Sequence, residues 1–166
     1  MTAAAVITGL IVGSYIFLKP FSSQQLADQY IRQEFEVKMP VQMGGKEDSL
    51  EAAIEYYNKN ILEKDKLPEA LLLFEKIIQT DSTKKLPRKM AGIVSLRLGD
   101  YDKAIDHFTR LEKLTFYSNP GKFYHAIALI KRNRNGDKEM VKQLLQEVVE
   151  QGLEGKETAQ KWLKSL

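Results

Sequence analysis

Leu98-Gly99-Asp100-Tyr101-Asp102-Lys103-Ala104-Ile105-Asp106-His107-Phe108 is the stretch from which the rest of the 166-residue chain can be read. Gly99 suits a tight turn between two helices because, lacking a Cβ, it tolerates left-handed backbone. Ala104 is small enough for two helices to cross closely. Phe108, one turn further along the same face, is large enough to fill the space between them. A turn followed by a small-then-large pair at helical spacing predicts a helix–turn–helix unit.

The unit repeats. Ala70, Phe74 and Ile77 stand 34 residues before Ala104, Phe108 and Leu111, and a fixed period of that length marks a stack of helix pairs. The preceding helices agree less closely: Ile54, Tyr57 and Ile61 recur as Arg88, Ala91 and Ser95. Gly92 and Ala126 are again 34 apart, so a third unit starts in phase, but Val141 in its second helix lies 37 beyond Ala104. The three added residues are expected in the turn Asn133-Arg134-Asn135-Gly136-Asp137, whose residue types favour one. Val141, Leu145 and Val148 then resume the apolar steps.

The Gly-Asp-Tyr…Ala…Phe pattern of residues 99–108 resembles the signature of tetratricopeptide repeats (TPR), and the resemblance covers residues 49–152. Asp65 and Pro68 depart from the usual glycine turn in the first unit. The resemblance implies an all-α fold, a TPR-like helical solenoid of about three helix pairs. Its structural positions fall on Ala70, Phe74, Gly92, Gly99, Ala104, Phe108 and Ala126. Residues 153–166 add a C-terminal capping helix. There Ala159, Trp162, Leu163 and Leu166 share an apolar face, with Lys156, Lys161 and Lys164 outside it, as the open end of a solenoid requires. Trp162 is expected in the core.

At the other end, Thr2 to Leu18 carries no charge. As a helix this run reaches roughly 26 Å, close to the hydrocarbon thickness of a bilayer. Tyr15 and Lys19 suit the interface, and Pro20 ends the helix. No basic residue precedes the run and no small-x-small cleavage site follows it, which favours an N-terminal transmembrane anchor over residues 1–19 against a cleaved signal. Ala5, Gly9 and Gly13 form a small-residue face that suits a homodimer through the transmembrane helix. Residues 20–48 read as a connector. Leu26, Tyr30, Ile31 and Phe35 make Gln24 to Val37 a short amphipathic helix, Pro40 and Gly44-Gly45 end it, and Asp48-Ser49 caps the next. The whole resembles the membrane-anchored TPR proteins of Bacteroidota-type bacteria. That implies a single pass through the bacterial inner membrane, with the repeats in the periplasm.

Composition excludes several classes. The net charge of +3 comes from 25 basic and 22 acidic residues interleaved along the chain, which gives no basic stripe for nucleic acid. With no cysteine, disulfides, thiolate chemistry, cysteine-ligated zinc and lipoprotein anchoring are all excluded. No nucleophile motif, phosphate loop or H-E-x-x-H spacing is present. His107 and His125 lie 18 apart with no third ligand suggested, so they read as packing or solvated residues. No catalytic residue, cofactor or metal is expected, and the chain is not expected to be an enzyme.

What remains is binding. In TPR arrays the first helix of each pair lines a groove. By repeat register this assigns Glu55, Lys59 and Leu62, then Lys89, Ile93, Leu96 and Arg97, then Phe123, Ile127, Ile130 and Lys131. Ile93, Phe123 and Ile127 form an apolar floor and Lys59, Lys89, Arg97 and Lys131 a cationic edge, suited to a helical or extended protein segment with acidic or apolar character. The alternative is that the apolar residues pack between helices and the lysines are solvated. The carboxylate clamp of chaperone-binding arrays is disfavoured, because its places hold Glu55, Met90, Pro120 and Tyr124. Lys84-Lys85…Arg88-Lys89 and Lys131-Arg132…Arg134 are the densest basic runs and could meet anionic headgroups. The expected function is a membrane-anchored scaffold for protein–protein interaction in the envelope. The alternative is a regulatory, signal-transducing subunit of the sigma/anti-sigma type, which needs coding sequence ahead of Met1.

Overall fold

A computed structural model of the chain describes residues 22–39 and 48–166. Among the described residues there are eight α-helices and no strand. They are α1 (Ser23–Tyr30), α2 (Asp48–Lys59), α3 (Leu67–Thr80), α4 (Lys85–Leu98), α5 (Tyr101–Glu112), α6 (Gly121–Arg132), α7 (Asp137–Glu150) and α8 (Lys156–Leu163). The expected span over residues 1–19, the face of Ala5, Gly9 and Gly13, and the Pro40 and Gly44-Gly45 break lie outside the described residues. No described helix is long and apolar enough to cross a membrane.

From α2 onward each helix packs on its successor. The turns explain why the chain doubles back. Gly99 ends α4 with φ +86°, and the Asp100 carboxylate accepts the Lys103 N–H at 3.2 Å to cap α5. The third pair has a longer turn than the second, in the place the spacing indicated. Asn133 and Gly136 both take left-handed backbone, at φ 53° and 86°. The Asp137 carboxylate accepts the Arg134 N–H at 2.8 Å, which closes the loop. The first pair has no glycine; a 3-10 turn over Lys64–Lys66 leads directly into α3, with proline in its first turn.

Ala70, Phe74, Ala104, Phe108 and Ala126 are each at most 1% exposed. Gly92 marks a close approach between helices. A Cβ there would sit 2.4 Å from Phe108 Cε1, so the α4 backbone lies directly against the ring. Between the second and third pairs a longer loop is organised by Asn119, which is buried. Its Nδ2 donates to the Leu111 and Leu114 carbonyls, both at 2.8 Å, and its Oδ1 accepts the Gly121 N–H at 2.8 Å. One side chain thus satisfies the end of α5 and the start of α6, where backbone groups have no helical partner. The pattern gave no warning of this device.

The helices bury unequally. In α5 only Ala104, His107, Phe108 and Leu111 are buried, a one-sided stripe. In α4 the run Met90 to Leu96 is buried throughout, as is Ala126 to Ile130 in α6. A helix apolar on every side needs neighbours on every side. For α6 part of that cover comes from α1, which leaves the sequential order to pack on it.

Trp162 is 5% exposed, and its ring lies 5.6 Å from that of Phe123. The last helix, α8, packs on α7.

A groove occupied by the chain's own connector

The candidate groove is built from α2, α4 and α6, and the structure corrects its expected openness. Ile93, Phe123 and Ile127 are 5%, 0% and 0% exposed: they pack inward, so the expected open floor is closed. Over Phe123 lies the connector, α1 with a π-helical turn over Ile31–Phe35, which packs on α6 and reaches Tyr57 of α2. A capping box starts it. The Ser22 hydroxyl accepts the Gln25 N–H at 3.3 Å, while Gln25 Oε1 accepts the Ser22 N–H at 2.8 Å.

Tyr30 carries the contact. Its ring meets Phe35, Phe123 and Trp162 edge-on, with centroids 5.5, 5.2 and 6.0 Å away. Phe35, 3% exposed, meets Tyr124 at 5.0 Å in the same manner. Such edge-to-face pairs add to area burial because the positive rim of one ring faces the negative face of another. Burial raises the Tyr30 and Tyr124 phenols well above the ordinary tyrosine range, and the Glu154 charge beside both raises them further. Both stay neutral.

Polar contacts fix the register. Lys131 Nζ reaches Asp28 Oδ1 at 2.5 Å, and Gln24 Nε2 donates to the Ile130 carbonyl. The Tyr57 hydroxyl donates to the Phe35 carbonyl at 2.6 Å. Asn58 reads main chain alone: its Oδ1 accepts the Met39 N–H and its Nδ2 donates to the Met39 carbonyl, both at 2.8 Å. An amide used in this way holds a peptide backbone without regard to its side chain.

The expected cationic edge is therefore mostly engaged within the chain. Arg97 donates to the Tyr57 hydroxyl at 3.0 Å and to the Ile61 carbonyl. Lys89 lies 3.4 Å from Glu154 and over the Tyr124 ring at 5.2 Å. Lys59 is exposed. The basic runs are also less available than their sequence suggests. Arg88, where the first repeat has Ile54, is buried and donates to the Ser82 carbonyl at 2.8 Å. Lys85 lies over Phe116. Arg132 pairs with Asp102 at 2.9 Å and with Asp137, and Arg134 pairs with Asp102 at 2.9 Å.

Beside the connector an open cleft of about 410 Å³ remains, lined by Ile31, Glu36, Leu62, Lys64, Arg97 and Tyr101 among others. Leu62 is 80% exposed at its mouth. The histidines lie elsewhere and apart. His107 is buried, with Nε2 3.5 Å from Glu75 and no partner for Nδ1; burial lowers its pKa, against the raising effect of Glu75. His125 Nδ1 lies 2.8 Å from Glu112. Among the described residues no group of three His, Cys, Asp or Glu is placed to hold a metal ion.

Sequence reasoning placed Tyr30 and Phe35 on one helix, and Arg97, Phe123 and Lys131 along a groove formed by two others, without joining them. Asn58 it missed, since a lone asparagine gives no periodic signal. No family model matches the chain, and neither does a curated protein or a solved structure.

Proposed function

We propose that this chain is a non-catalytic scaffold of the tetratricopeptide type. Residues 1–19 anchor it in the bacterial inner membrane, and its helix pairs, on the periplasmic side, hold segments of other proteins. One observation carries the reading: the first helices cradle a helix with two aromatic side chains and an acidic residue, which is the helix-in-groove mode of recognition. Asn58, Tyr57 and Lys131 supply the polar contacts such a mode needs to fix orientation. The cleft at Leu62 offers a continuation for an incoming segment.

A photo-crosslinking residue placed at Leu62, in the full chain in its own membrane, tests this. The expected result is a discrete protein adduct that weakens severalfold when Lys64→Glu and Glu36→Lys reverse the cleft charges. An adduct pattern no different from that of a probe at Met140, on α7, refutes it.

The regulatory reading is favoured by the position of the connector, which joins the apolar N-terminal run to the cradle in one chain. A pull on the first run would be felt at Tyr30. Coding sequence ahead of Met1, in frame, is the observation that supports it, and a start at Met1 in the native transcript removes it.

A further inference from the structure

We infer that the connector is an intramolecular stand-in, and that the cradle on α6 accepts in its place an amphipathic helix from a partner protein. This rests on the scaffold reading above and names the chemistry of its partner. The partner helix carries an acidic residue in the place of Asp28, an aromatic residue two positions on and a second aromatic five further. Those are the positions of Asp28, Tyr30 and Phe35.

Three observations support exchange over permanent packing. First, α1 has eight residues and the turn after it is π-wound. An isolated helix shorter than about 12 residues has little stability of its own, so α1 holds its shape only while docked. Second, within α1 only Ala27 is buried, and in the following turn only Phe35. Leu26, Tyr30 and Ile31 remain partly exposed. Segments with few fully buried side chains open at less cost than the core helices beside them. Third, the contacts are generic. Lys131 reads a carboxylate, the cluster of Phe123, Tyr124 and Trp162 reads aromatic rings, and Asn58 with Tyr57 reads main chain. None requires the sequence of the connector itself.

The test uses the full chain in detergent micelles and two labelled peptides, followed by fluorescence anisotropy. One peptide is residues 22–39. The other keeps only Leu26, Ala27, Asp28, Tyr30, Ile31 and Phe35 on an otherwise unrelated helical background. The receptor is either the native chain or its Asp28→Lys/Tyr30→Ala variant, whose cradle has lost its stand-in. Both peptides are expected to bind the variant at least tenfold more tightly than the native chain. Versions of the peptides carrying the same two changes are expected not to bind.

A second arm needs no weakened connector. The chain has no cysteine, so Ser23→Cys with Ser165→Cys, two residues that line one small cleft and take no part in the contacts above, can be bridged selectively by a short bismaleimide. The bridged protein is expected to bind neither peptide, and the unbridged protein to bind both. Equal binding with and without the bridge overturns the proposal, as does absence of binding to a variant that keeps its helical circular dichroism. Formation of a dimer by the variant in place of peptide binding also overturns it, since the connector would then be an element of self-assembly. If the peptides fail but the Leu62 probe still finds its adduct, this inference falls and the scaffold reading stands. If the peptides bind and the probe finds nothing, the cradle alone takes partner segments and the continuation at Leu62 falls.

Discussion

Replacing Gly92 by alanine adds one methyl group where the α4 backbone meets the Phe108 ring. The new Cβ would lie 2.4, 2.7 and 2.8 Å from Cε1, Cδ1 and Cζ of Phe108. Comfortable carbon contacts begin near 3.5 Å, so ring and helix must separate by roughly 1 Å. The ring has little room to give, being 0% exposed with the Tyr124 ring 5.4 Å away. Overpacking of this kind costs about 1–3 kcal/mol, and a ring held on all sides places this site in the upper half of that range. Alanine in place of glycine within a helix returns about 1 kcal/mol. The net loss expected is about 1–2 kcal/mol, a fall in Tm of roughly 2–8 °C for a chain of this size. Urea unfolding followed by far-ultraviolet circular dichroism measures it. Phe108→Leu in the same chain should recover much of the loss, giving a favourable coupling of about 1 kcal/mol or more in a double-mutant cycle. If Gly92→Ala is as stable as the native chain, or more so, the account of this contact is wrong.

Other outcomes follow from single residues. Gly99→Ala meets no steric neighbour but must hold φ +86°. The strain should cost about 1–2 kcal/mol, seen as an earlier urea midpoint with unchanged slope. His107 has its folded pKa lowered by burial, so as pH falls below about 6.5 the unfolded chain takes the proton first. Stability should therefore decline on acidification from that pH down to the folded pKa, and His107→Gln should flatten the profile over that window. Arg132 holds the Asp137 carboxyl below the usual carboxylate range; its contribution is present above about pH 4 and lost as pH falls through the folded value. Asp137→Asn should accordingly be less stable than the native chain at neutral pH, with the difference narrowing in acid. Tyr117 is 99% exposed, and Tyr117→Ala should alter stability by less than about 0.5 kcal/mol.

What the sequence determined by itself was local and periodic. A spacing of 34 between Ala70 and Ala104, and between Phe74 and Phe108, identified helix pairs because small and large residues on one face must meet their counterparts at each step. The lag of Val141 located the longer turn for the same reason, and the apolar face around Trp162 identified a last helix. The tertiary structure alone decided what lies on the first helices. Tyr30, Phe35 and Asp28 are far along the chain from Phe123, Tyr124 and Lys131, and no period relates the two sets. Each reads equally well as an open face awaiting a partner. Periodicity reports which face of a helix is apolar and says nothing of which apolar face will cover it. That choice depends on a loop returning through space, and on single groups such as Asn58 and Asn119, whose hydrogen bonds exist only once distant main chain has arrived.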